Sequence, residues 1–126
     1  MSHKRLLVGL TLGLNFFDLN LALSQPPIGM PKRNAQLEKK GQTSYSIHCS
    51  SCHGEKLDGK GPIGDSLIPR PRNLITATWP AGDSSEQLFK WISEGIPGTM
   101  MMGFKHLPEA ERWNLVFYIQ SRRGKK

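Results

Sequence analysis

Apolar residues fall at helical spacing in three places along the chain. From Ala35 to Cys52, Leu37, Gly41, Tyr45 and Cys49 recur at four-residue steps, which puts them on one face of a helix. A second helix is predicted from Asp83 or Ser84. There Ser84 and Gln87 form a capping box, Leu88, Trp91 and Ile92 make the apolar stripe, and Gly95 ends it. A third opens at Pro108 with Glu109 and Glu111 in its first turn. It closes on Arg122, Arg123 and Gly124, the charge order that the helix dipole favours. Residues 54–82 hold four Pro and five Gly and read as loops. No segment alternates as a strand would. The pattern is that of an all-α domain with three main helices and Gly/Pro-rich loops.

The first 24 residues have a different texture. Lys4 and Arg5 precede the run Leu6–Leu14, apolar apart from Thr11, and Ala22-Leu23-Ser24 offers small residues for a peptidase. A membrane span needs about 20 apolar residues; this run is shorter, and Asp18 follows it. Residues 1–24 are therefore expected to be a signal peptide cleaved near Ser24-Gln25, giving a periplasmic protein. Membrane association follows only if the signal stays uncleaved. Residues 25–34, with three Pro, form an extended leader, and residues 35–126 form the domain.

A domain of this size, rich in Gly and Pro, has thin material for a core, and small domains often need a staple. The two cysteines of the chain stand in Cys49-Ser50-Ser51-Cys52-His53, the C-x-x-C-H pattern of covalent haem c attachment. Two thiols one helical turn apart can each bond a vinyl group of one porphyrin, and His53 then falls beneath the iron. A zinc site, a redox-active dithiol and a structural disulfide are the competing readings. Zinc lacks four well-spaced ligands, the dithiol lacks a βαβ context, and a disulfide leaves His53 unexplained. Downstream, Met100-Met101-Met102 sits in a Gly/Pro-rich loop where no regular spacing makes all three core residues. A thioether would raise the reduction potential of a haem iron.

With these motifs in order, the chain resembles a class I, mono-haem c-type cytochrome of the small bacterial kind, over roughly Leu37 to Ser121. Gly41 and Tyr45 match that family's first helix, and Tyr118 the aromatic packed against it. Asp58-Gly59-Lys60-Gly61-Pro62 matches the turn whose Pro carbonyl accepts the proximal histidine's ring N–H, which assigns that role to Pro62. Gly98, Thr99 and Phe104 align with the family's Met loop and put Met101 in the ligand slot, with Met102 where proline is usual. Met100, Met102 and His106 remain alternative donors. Arg70, Arg72 and Trp79 lie in a segment that runs near the haem propionates in related cytochromes, or else in a solvated basic loop. His48 reads as a solvated helix residue. The resemblance implies the cytochrome c fold around one covalently attached haem c, with Cys49 and Cys52 as tethers and His53 and Met101 as iron ligands.

Charge bears on partners. Seventeen Lys and Arg against ten Asp and Glu give +7, which would steer the protein to redox partners with acidic docking surfaces. No aromatic-basic interleaving recommends nucleic acid. The expected function is one-electron transfer between periplasmic redox partners, by a protein that is not itself an enzyme. Two alternatives stand: a dedicated haem subunit of a dehydrogenase or oxidase complex, and an open-site haem protein that binds peroxide or small gases.

Overall fold

A computed structural model describes residues 29–79 and 84–123. The expected signal peptide, the start of the leader and Gly124 lie outside the described residues. Among the described residues there are four α-helices, α1 (Ala35–His48), α2 (Ser50–His53), α3 (Ser85–Glu94) and α4 (Glu109–Arg122), with a 3₁₀ turn at Gly64–Ser66. Among the described residues there is no strand, and no helix long and apolar enough to cross a membrane.

Local chemistry explains the helix starts. The Asn34 side chain accepts from the Leu37 N–H at 3.0 Å, and Ser84 Oγ accepts from the Gln87 N–H at 3.1 Å. Each satisfies one of the orphan donors of a first turn. The helix expected over Ala35–Cys52 is broken at Cys49, whose backbone leaves helical geometry (φ −124°, ψ −31°). Its carbonyl then accepts from both Cys52 N–H (3.2 Å) and His53 N–H (2.9 Å), closing a separate one-turn helix around the motif.

The core is the crossing of α1 and α4. A Cβ on Gly41 would collide with the Asn114 carbonyl and with Tyr118 Cβ, so only glycine allows the two backbones this approach. Tyr45 lies beside that crossing, its ring centroid 5.3 Å from that of Tyr118 and its hydroxyl donating to the Gly54 carbonyl at 2.8 Å. Along α4 every residue from Trp113 to Ile119 is buried. α3 packs on the same helix through a stack of Phe89 on Trp113, with centroids 4.1 Å apart.

Candidate functional site

The helices leave a cleft of about 440 Å³ with a largely apolar wall that includes Leu74, Leu88, Ile92, Ile96 and Ile119. That volume lies within the roughly 300–1,000 Å³ usual for cofactor pockets. Cys49, Cys52, His53 and all three consecutive methionines line it. Residues some fifty positions apart in sequence thus meet in one place. Ile63, Leu67 and Ile119 were not singled out by sequence reasoning, because isolated apolar residues in loops or on a buried helix carry no chemical signature.

His53 is half-buried, and its Nδ1 lies 3.1 Å from the Arg72 carbonyl. A carbonyl can only accept, so this contact puts the ring proton on Nδ1 and leaves the Nε2 lone pair available. Burial pushes the ring's pKa down, against the opposing pull of this hydrogen bond. The resemblance implied the Pro62 carbonyl as acceptor, and here the structure corrects the sequence reading: Pro62 is exposed and outside the cleft wall. The cause is a backbone crossing. Gly59 takes φ +82°, and a Cβ there would lie 2.5 Å from the Pro71 carbonyl oxygen. The Leu74 N–H donates to the Leu57 carbonyl at 2.8 Å. Segment 71–74 is thereby laid against the turn after the motif and delivers the Arg72 carbonyl to the histidine.

The methionine loop is tied at both ends. The Ile96 N–H donates to the Met101 carbonyl at 3.0 Å, and the Phe104 N–H to the Ile92 carbonyl at 2.8 Å. Thr99 Oγ1 donates to the Ile96 carbonyl at 2.8 Å and accepts from the Met101 N–H at 3.1 Å. This hydroxyl bridge braces the loop although Met102 replaces the usual proline. Met101 is half-buried and packs against the core, whereas Met100 and Met102 are 65% and 66% exposed. His106 is exposed and does not line the cleft. His48 does line it, with Nε2 3.7 Å from Glu111 Oε1.

Burial and the neighbouring Cys52 push Cys49 up to about 12, which disfavours the thiolate that exchange chemistry requires. Cys49 and Cys52 are both free. Among the described residues no three His, Cys, Asp or Glu side chains come together as a metal site, so the zinc alternative has no ligand set there. A large apolar cofactor with acidic edges fits instead. The wall is apolar, Arg70 and Arg72 stand on it, and Trp79, also on the wall, keeps its indole N–H buried without a hydrogen-bond partner.

Comparison with known proteins agrees with this geometry. The family model described as Cytochrome c matches residues 38–123. The Cbb3-type cytochrome c oxidase subunit CcoP of Azospirillum brasilense is 31% identical over 93 residues, covering 74% of this chain and 31% of the relative. The same subunit from Azospirillum sp. (strain B510) is 30% identical over 87 residues, covering 69% of this chain and 29% of the relative. The chain thus spans about a third of the length of the curated relatives it matches. Among solved structures, a chain of the Kuenenia stuttgartiensis reducing HAO-like protein complex superposes with a TM-score of 0.67 at 27% identity, over 76% of this chain and 46% of the other.

Proposed function

Because the chain belongs to the cytochrome c family, we propose that it is a one-electron carrier whose haem c is tethered by Cys49 and Cys52 and ligated by His53 and Met101. Haem-based electron transfer is the family's activity, and a bound haem c supplies it by cycling iron between Fe(III) and Fe(II). The observation that carries the residue assignment is the convergence of both cysteines, His53 and the half-buried Met101 on one cleft.

Each residue has a physical task in this reading. The two cysteines fix the position of the cofactor. The Arg72 carbonyl holds the proton on His53 Nδ1, which fixes the tautomer and strengthens Nε2 as a donor. Met101 presents a soft thioether, which favours the reduced state and raises the potential. The Trp79 indole N–H, Arg70 and Arg72 are the donors offered to the cofactor's acidic edge. If His53 and Met101 both held the iron, the protein would leave it no open site for substrate, and the chain would act as a relay.

The mouth of the cleft suits a protein partner. Ile63, Met100 and Met102 are large exposed apolar residues on its wall, and Ile68, 90% exposed, lies between wall residues Leu67 and Pro69. Exposed apolar clusters of this kind mark interaction surfaces. The charged wall residues Arg70 and Arg72 are basic, so the fitting partner is a redox protein with an acidic rim around an apolar centre. Export to the periplasm is the setting we infer, from the expected signal sequence and the attachment motif.

The curated relatives are named as oxidase subunits and the structural neighbour as part of an enzyme complex. This supports a second reading, in which the same relay serves as the haem subunit of a redox complex. Co-purification with a stoichiometric partner separates it from the free carrier.

Absorption spectroscopy tests the site. The holoprotein is expected to give a c-type reduced spectrum and, when oxidised, the sulfur-to-iron charge-transfer band. Met101→Leu should abolish that band, and Met100→Leu and Met102→Leu should keep it. A high-spin wild-type spectrum without the band would overturn the closed relay and favour an open site for peroxide or small gases.

A further inference from the structure

Segment 72–79 presents two groups to the cleft, the Arg72 carbonyl at His53 and the Trp79 ring. It has no regular secondary structure to hold it. Within itself it is braced by Asn73, whose Oδ1 accepts from Ile75 and Thr76 N–H at 2.9 and 3.0 Å, and by Arg72, whose guanidinium donates to the Thr78 carbonyl at 3.2 Å. These bonds shape the segment but do not fasten it to the helices.

Trp79 meets Trp91 of α3 edge-on, with centroids 5.7 Å apart, and the polar fastening comes from the end of α4. Arg123, the C-cap residue of α4, donates through one guanidinium nitrogen to the Leu74 carbonyl at 2.6 Å and through the other to the Ala77 carbonyl at 3.1 Å. Its Cζ stands 4.2 Å from the centre of the Trp79 ring. One planar cation thus grips two backbone carbonyls and one aromatic face of the same segment. The charge also sits where the dipole of α4 favours it. Bidentate charged hydrogen bonds are stronger than neutral ones and fix orientation as well as distance, which a lysine at the same place could not reproduce.

We infer that Arg123 is a positioning residue for the proximal side of the site: it clamps segment 72–79 to the end of α4 and so holds the acceptor of the His53 ring proton and the Trp79 indole in register with the cleft. The inference rests on the reading of His53 as the iron ligand. It assigns a distinct task to one of the two arginines that the sequence pattern marks only as closing the last helix.

Hydrogen exchange followed by NMR on the holoprotein tests it, with R123Q and R123K beside wild type. The reporters are the Leu74 and Ala77 amides, which donate to the Leu57 and Asn73 carbonyls, the Trp79 indole N–H and the His53 ring N–H. The Leu115 amide, in the fully buried part of α4, is the reference. In R123Q the four reporters are expected to exchange about tenfold or more faster relative to Leu115, the scale of losing a charged hydrogen bond. R123K should recover only part of that protection. Reporters unchanged relative to Leu115 would overturn the clamp. So would a uniform acceleration that includes Leu115, since Arg123 would then only stabilise the fold. Full recovery in R123K would reduce the role to charge and overturn the fork. If wild type itself shows no iron-shifted ring proton from His53, the ligand assignment fails, and the Leu74, Ala77 and Trp79 reporters still decide the clamp.

Discussion

The α1–α4 crossing and the loop shell around the cleft are held together by different means. Along α4 burial is continuous from Trp113 to Ile119, and the crossing depends on the absence of a side chain at Gly41. In the shell, residues 54–79 and 95–104, all five described residues with positive φ are found: Gly54, Leu57, Gly59, Gly95 and Gly98. There the chain is fixed by backbone crossings and by single side-chain-to-backbone bonds from Asp58, Asn73 and Thr99. The candidate iron ligand Met101 and the partner of His53 both lie in the shell. The scaffold therefore rests on burial, whereas the shell, although it buries Leu57, Leu74, Trp79 and Phe104, depends also on individually placed hydrogen bonds that a mutation can remove one at a time.

Two glycine substitutions sharpen this contrast. Gly41→Ala drives a methyl group into the backbone of α4 at Asn114, where no flexible side chain can yield. A loss of about 3 kcal/mol or more is expected, as for severe overpacking. In urea titrations the helical signal and the sulfur-to-iron band should then be lost together, at a much lower denaturant concentration than in wild type. Gly95→Ala acts in the shell. Its φ of +77° with ψ of −173° is a region that only glycine enters readily, and a Cβ would stand 2.6 Å from the Met101 carbonyl oxygen. The expected cost is about 1–3 kcal/mol, taken mostly by the methionine loop. The sulfur-to-iron band should be lost before the helical circular dichroism changes. If the two signals instead fall together in Gly95→Ala, loop and scaffold form one cooperative unit and the contrast fails.

The same division explains what could be read from the sequence. The crossing helices were legible because Leu37, Gly41, Tyr45 and Cys49 repeat at a helical period, and a burial pattern is written in residue types. Cys49, Cys52 and His53 stand out as candidates in the sequence because haem c attachment requires its tethers and histidine to be neighbours. The Arg72 carbonyl was not legible, since every residue has a carbonyl and only the path of the chain decides which one reaches His53. Pro62 was the candidate from motif likeness, and the close crossing at Gly59 brought in a different strand of backbone. Leu57, in a left-handed conformation at φ 61°, looked like any apolar loop residue, yet its carbonyl anchors Leu74. The grip of Arg123 on Leu74 and Ala77 spans 49 and 46 positions, a distance at which sequence carries no pairing signal. Among the methionines, resemblance favoured Met101, and its burial relative to Met100 and Met102 agrees with that choice without testing ligation.

Smaller effects are expected at the helix starts, where a single hydrogen bond is at stake. Asn34→Ala removes the acceptor of the Leu37 N–H, and Ser84→Ala that of the Gln87 N–H. Each should cost about 1 kcal/mol in urea unfolding. The two should differ in where the loss is felt. α1 is part of the crossing, so Asn34→Ala should lower the stability of the whole domain. α3 leads into the methionine loop through Gly95, so Ser84→Ala should also quicken exchange of the Ile96 and Met101 amides, which are bonded to the Met101 carbonyl and to Thr99 Oγ1. Equal exchange at those amides in both variants would show that α3 does not transmit to the loop.

The smallest effect is expected where two opposite charges meet in the open. Asp65 and Arg70 are 3.1 Å apart across the bend that carries Ile68, and their side chains are 75% and 72% exposed. At that exposure the attraction is screened by water and salt and is offset by the freedom that both side chains give up, so such pairs contribute about 0–1 kcal/mol. Asp65→Asn should leave the urea midpoint close to wild type at 0.15 M salt. If the shell is held by its hydrogen bonds, removing an exposed ion pair should matter less than removing the one acceptor at Asn34. A destabilisation greater than that of Asn34→Ala, fading as salt is raised, would mean that charge pairing holds this part of the shell. The bend and its exposed isoleucine would then depend on ionic strength, and salt would weaken partner binding by deforming the docking face as well as by screening its charge.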